Sequence, residues 1–147
     1  MKSPRVFPAG SPIAPRGAFP KSERVRKRRE YLEIQAHGRR VMLSHFVLVV
    51  CAREPSSASA PRIGITASRK VGVAAVRSRV RRLVREAYRA TRDVFPNDAD
   101  VVVIVKRAPK ELALRHVVEE FRSARAILAK RIDEARRELN TRASRHE

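Results

Sequence analysis

The residues with the clearest chemical meaning are arginines. From residue 77 to 92 the chain reads RSRVRRLVREAYRATR, with seven Arg among sixteen residues and a single acid, Glu86. A guanidinium is always charged and presents a planar fork of N–H donors that matches a phosphate. On a helix at about 100° per residue, Val76, Val80, Leu83, Val84, Ala87, Thr91 and Val94 fall on one side as a core stripe. Arg81, Arg82, Arg85, Arg89 and Arg92 fall on the other side, and Arg77 and Arg79 flank the stripe. A merely solvated face mixes acids with bases at i,i+4, because like charges at that spacing repel. The C-terminal part of the chain does mix them, with Glu119, Glu120, Asp133, Glu134 and Glu138 among its bases. The arginine stretch does not, so its charge calls for a polyanion.

The whole chain supports that reading. It has 147 residues, 34 Lys and Arg against 15 Asp and Glu, and a formal net charge of +19. Nucleic acid is the partner that best absorbs such charge, through release of condensed counterions. An anionic membrane would call for bulky apolar anchors on an amphipathic helix, and Trp is absent. No apolar run approaches the roughly 20 residues that span a bilayer. Cys51 is the one cysteine and sits in an apolar run, where it reads as packing.

Residues able to run hydrolysis unaided do not gather. His37, His45, His116 and His146 have no metal-ligand spacing. Asp98 and Asp100 fall at a turn, an ordinary place for Asp, and no acidic cluster resembles a two-metal centre.

The elements that must position the arginines follow from periodicity. Residues 1–20 carry Pro4, Pro8, Pro12, Pro15 and Pro20 and read as a disordered basic extension. A first helix is expected over 27–36, ended by Gly38. A strand over 41–52 is followed by a Pro/Ser/Ala loop over 54–61 and an alternating strand over 62–68. These two strands are expected to pair antiparallel. The arginine helix spans 74–94. Residues 100–105, apolar on both faces, read as the central strand. A long amphipathic helix then runs from Pro109 to 139, with Leu114, Val117, Phe121, Ala124, Leu128, Ile132, Ala135 and Leu139 inward, before a polar tail over 140–147. The order α-β-β-α-β-α gives an α+β sandwich, a small mixed sheet with helices mainly on one face. The folded domain is expected over 21–139.

The stretch GITASRKVGVAAVRSRVRRLVREAYR, residues 64–89, resembles the centre of the bacterial ribonuclease P protein component. A strand, a basic turn, a glycine and an RNR-type helix follow one another there, and the resemblance extends more weakly over about 19–139. Ser78 stands where the family has Asn, and Val73 stands where it has Asn after Gly72. The resemblance implies the fold of the second domain of ribosomal protein S5. It also implies a subunit of an endoribonuclease that removes the 5′ leader from precursor tRNA. Catalysis would belong to the RNA subunit with its bound Mg²⁺. The chain itself would hold no cofactor or metal and need no obligate protein partner. It would act in the cytoplasm and away from membranes.

By the same resemblance, Arg69, Lys70, Arg77, Ser78, Arg79, Arg81, Arg82, Arg85 and Arg89 contact the ribonuclease P RNA. Tyr31, Gln35, Val49, Thr66 and Ser68 line a cleft for the leader. Tyr31 would stack on a base and use its ring rather than its hydroxyl. Gln35 stands where the family has a second aromatic. Phe46, of opposite strand parity to Val49, would be core. The rival readings are a ribosomal or ribosome-assembly protein, a nucleoid-type DNA binder, and a nuclease with its own active site.

Overall fold

A polar turn divides the long apolar run into two strands. A computed structural model, which describes residues 19–54 and 60–145, places β1 at Arg39–Met42 and β2 at Phe46–Ala52. They form an antiparallel hairpin with Val41 opposite Leu48. The single strand expected over 41–52 is thus a hairpin. Ser44 and His45 favour a turn, and Leu43 N–H closes it on the Phe46 carbonyl at 2.9 Å.

The remaining strands are β3 (Arg62–Thr66) and β4 (Ala99–Val105), and the sheet order is β1-β2-β4-β3. β4 runs antiparallel to β2 and parallel to β3, with Thr66 beside Ile104. The expected antiparallel pairing of the 41–52 and 62–68 segments does not occur. β4 is buried on both faces, so it takes the centre. The helix between β3 and β4 supplies the crossover that a parallel pair needs.

Helix α1 is Arg28–His37, α2 is Ala74–Ala90, α3 is Leu114–Ser123 and α4 is Arg125–Arg145. Leu48, Val50, Val101 and Val103 face α2, α3 and α4 in the larger core. Val47, Val49 and Val102 face the other way, where Val25 and Ile34 cover them from the α1 side. Three helices therefore share one face of the α+β sandwich, and α1 lies on the other. Phe46 is fully buried in the larger core, as its parity requires. There a chain of ring contacts links Phe19, Tyr88, Phe95, Phe121 and Phe46, at centroid distances of 5.5, 5.5, 5.7 and 5.8 Å.

The C-terminal helix differs from expectation. It starts at Leu114 rather than at Pro109, and it breaks at Ala124, whose N–H is shared between the Glu120 and Phe121 carbonyls. α4 then continues through 140–145, which had read as polar tail. Of the proline-rich extension, residues 1–18 lie outside the described residues, as do 55–59 of the expected loop and 146–147. Phe19 is already buried.

Candidate nucleic-acid interface

Helix α1 is fixed over the smaller core by three kinds of contact. Ile34 packs into it. Glu30 binds Arg62 at 2.9 Å, and Arg62 in turn binds Asp100 at 2.7 Å. Burial works to raise the Glu30 carboxyl, but the Arg62 guanidinium and the Lys27 N–H outweigh it and hold the group below the ordinary carboxylate range. Finally, Tyr31 accepts a hydrogen bond on its hydroxyl from Ile65 N–H at 3.2 Å. That ties α1 to the exposed edge of β3.

So held, α1 leaves part of the sheet uncovered. A groove of about 520 Å³ opens there, with Leu32, Ile65, Ala67, Ile104 and Val105 in its apolar lining and Tyr31, Gln35, Thr66 and Ser68 in its polar lining. Arg26 and Arg28 border it from the α1 side and Arg81 from α2. An adjoining depression of about 300 Å³ shares Arg26, Tyr31 and Arg81 and adds Arg24 and Arg85.

Four of the five expected cleft residues, Tyr31, Gln35, Thr66 and Ser68, meet in this groove. Val49 does not. It is fully buried beneath α1, packed with Ile34 and Val102, because strand parity points it at the side α1 covers. His45, four residues before Val49, sits in the β1–β2 turn, where Glu120 of α3 binds both its ring Nδ1 and its backbone N–H.

The expected phosphate contacts divide into free and occupied groups. Arg69, Lys70, Ser78, Arg82 and Arg85 are exposed, while Arg77 and Arg81 are half-buried. Arg79 is turned inward: its guanidinium binds the carbonyls of Pro109, Lys110 and Leu112, and so fastens the β4–α3 connection to α2. Arg89 is paired with Glu86 at 2.5 Å, and Arg92 with Glu23 at 3.1 Å. Val73 precedes α2 without a side-chain cap and is exposed.

Sequence reasoning missed Arg26, Arg28, Leu32 and Ile104 as groove residues. The first two stand in the run RVRKRR, separated from Tyr31 by Glu30 alone, a signal that could have found them. It also missed Tyr88 as core: Tyr88 is fully buried and donates its hydroxyl proton to Glu23 at 2.6 Å.

The charge map separates the two sides of the molecule. In α4, Arg131, Arg136 and Arg142 each face a carboxylate, and so does Arg39 on β1. Among the described residues, no carboxylate lies within ion-pair distance of Arg26, Arg28, Arg69, Lys70, Arg77, Arg79, Arg81, Arg82 or Arg85. Cations so placed repel one another until a polyanion arrives.

Several carboxylates near the sheet are already engaged by arginines. Asp98 is held by Arg136, Asp100 by Arg53 and Arg62, Glu30 by Arg62, and Glu23 by Arg92. Among the described residues, no three His, Cys, Asp or Glu side chains gather in a way that could hold a metal. None of their helices is long and apolar enough to cross a membrane.

Comparison with known proteins decides what this surface belongs to. The family model described as Ribonuclease P matches residues 19–129. The chain belongs to the ribonuclease P protein family. The ribonuclease P protein component of Syntrophus aciditrophicus is 40% identical over 101 residues, which are 69% of this chain and 82% of that protein. The one from Desulfovibrio desulfuricans is 42% identical over 96 residues, 65% and 73% of the two chains. The solved ribonuclease P protein from Thermotoga maritima superposes with a TM-score of 0.59 at 30% identity, covering 69% of this chain and 93% of that one. The Staphylococcus aureus protein, at 24% identity and a TM-score of 0.63, shares the fold. As a ribonuclease P protein component, the chain is a subunit of a ribonuclease that processes tRNA, and the ribosomal alternative is not favoured.

Proposed function

We propose that this subunit binds two RNAs through two parts of one surface. The arginine-rich face of α2, with the Arg69-Lys70 turn, holds the catalytic RNA. The groove between α1 and the sheet takes the single-stranded 5′ leader of precursor tRNA. The observation that carries this reading is the groove itself. Apolar side chains line it, hydroxyl and amide groups share the lining, and arginines with no carboxylate partner among the described residues border it on both sides. A single strand needs that combination, since it binds by base contact together with backbone charge.

Leader cleavage is then the work of the RNA subunit and its Mg²⁺. This chain contributes binding and orientation, and it acts in the cytoplasm where the precursor is made. Two measurements test the reading. Protein freed of RNA should leave precursor tRNA intact, whereas reconstituted holoenzyme cleaves it. The holoenzyme should also bind precursor more tightly than mature tRNA. Cleavage by RNA-free protein that a single substitution in it abolishes, or equal affinity for the two tRNAs, overturns the proposal.

A further inference from the structure

The face of β3 that looks toward α1 gives each of its residues a different task. Side chains alternate along a strand, so Arg62, Gly64 and Thr66 share that face. Thr66 lines the groove, and Gly64 receives the Tyr31 ring. Arg62 stands about 13 Å from Thr66, at the start of the strand, and lines neither the groove nor the adjoining depression.

The Arg62 guanidinium joins two carboxylates on two elements. Nε and Nη2 donate to the Asp100 oxygens of β4 at 2.8 and 2.7 Å, and Nη1 donates to Glu30 Oε2 of α1 at 2.9 Å. Asp100 is buried and lies beside Arg62 in the parallel ladder. Arg53 also binds Asp100, together with the carbonyls of Ala60, Asn97 and Ala99. The sheet end of the link is therefore fixed, and Glu30 is the end that belongs to the helix. Glu30 directly precedes Tyr31 and Leu32, which line the groove. Among the described residues, the other polar side-chain tie between α1 and β3 is the Tyr31 hydroxyl on Ile65 N–H.

We propose that Arg62 is a positioning residue for leader binding: by joining Glu30 to Asp100 it sets the distance between α1 and the sheet, and with it the width of the groove. The proposal rests on the reading that a single-stranded leader lies in the groove. Arg62 itself touches no RNA. It acts through α1, and its planar fork matters because it serves two carboxylates at once, which a single ammonium does not.

The test uses reconstituted holoenzyme with four variants of the protein. Glu30→Gln and Arg62→Lys each break the link from one end. Arg53→Gln loosens the sheet end but leaves Arg62 on Glu30. Leu32→Glu places a carboxylate in the groove. Affinity for leader-bearing precursor and for mature tRNA is measured, with thermal melts alongside and single-turnover cleavage at saturating holoenzyme. Glu30→Gln and Arg62→Lys should each weaken precursor binding about 5-fold or more, the factor that goes with one lost base contact. Mature tRNA binding and the saturated cleavage rate should keep their parental values. The two substitutions together should cost no more than either alone, since both break one link. Arg53→Gln should lower the melt and leave the precursor-to-mature ratio unchanged. Charge alone predicts the opposite for Glu30→Gln, because removing a carboxylate favours binding of a polyanion. Tighter binding of both tRNAs by that variant overturns the proposal, and so does an equal fall in the ratio for Arg53→Gln. If Leu32→Glu costs leader-specific affinity while Glu30→Gln and Arg62→Lys do not, the positioning role is wrong and the groove stands. If none of the variants discriminates between the tRNAs, the groove reading falls and the positioning role falls with it.

Discussion

The ring of Tyr31 fills the space where a side chain on residue 64 would begin: a Cβ built on Gly64 would lie 2.6 Å from Tyr31 Cε1 and 2.9 Å from the hydroxyl oxygen. The same hydroxyl accepts the Ile65 N–H. Glycine at 64 therefore lets a helix residue press against an edge strand and satisfy a donor that the sheet leaves unpaired. The sequence-based reading made the hydroxyl dispensable, and the structure gives it a bond. Tyr31→Phe should cost about 1 kcal/mol, the usual worth of such a hydrogen bond, measured by chemical denaturation. Gly64→Ala should lower Tm as well, because ring or strand must move. A Phe variant as stable as the parent would show that the bond contributes nothing.

The free and occupied arginines of α2 should separate experimentally. Among the described residues, Arg81 and Arg85 have no carboxylate partner, and they border the groove and its neighbouring depression. Replacing both with Gln should shrink the log–log salt slope of RNA binding by roughly 1.4 to 1.8. Lys130→Gln with Arg137→Gln, on the exposed side of α4, should change it little. Arg79→Gln should act mainly on the melt, since its guanidinium holds the carbonyls of the β4–α3 connection. Equal slope changes from the α2 and α4 pairs would mean that the charge acts diffusely.

What was legible in the sequence was local. The arginine helix and the central strand followed from periodicity, and the groove residues Tyr31, Gln35, Thr66 and Ser68 from the resemblance to the ribonuclease P protein family. What escaped was set by partners distant in sequence. Val49 is hidden because α1 crosses it, and strand parity alone does not say which side a helix will cover. Arg79 has the same charge as Arg81, yet it is consumed by carbonyls about thirty residues further on.

Asp98 and Arg136 clasp α4 to the start of β4, with paired hydrogen bonds of 2.7 Å each. The hydrogen bond and charge of Arg136 hold the Asp98 carboxyl below its ordinary range. A carboxyl depressed in the folded state gives stability that is present above its unfolded pKa and is lost as pH falls through the folded value. Asp98→Asn should therefore cost about 2 kcal/mol at neutral pH. The difference from the parent should narrow as the medium is acidified below about pH 4. A parent–variant gap that stays constant through that range would show that the clasp does not titrate with folding.

Gln35 offers the most direct way to strengthen the groove. It lies one helical turn after Tyr31, lines the same groove and is partly exposed. Its amide gives a passing base little surface on which to stack. Gln35→Phe puts an aromatic face beside Leu32, where the lining is already apolar. Base–aromatic stacking is worth about 1–3 kcal/mol per base, so precursor binding by the holoenzyme should tighten by roughly 5-fold or more. Mature tRNA carries no leader, and its affinity should stay the same. The variant should melt like the parent, because the side chain stands at the open side of α1 and displaces nothing in either core. Tyr31→Ala should act in the opposite direction on the precursor alone, once its loss of stability is allowed for. If Gln35→Phe tightened both tRNAs equally, the new ring would be meeting the tRNA body, and the leader would have to run elsewhere on the surface.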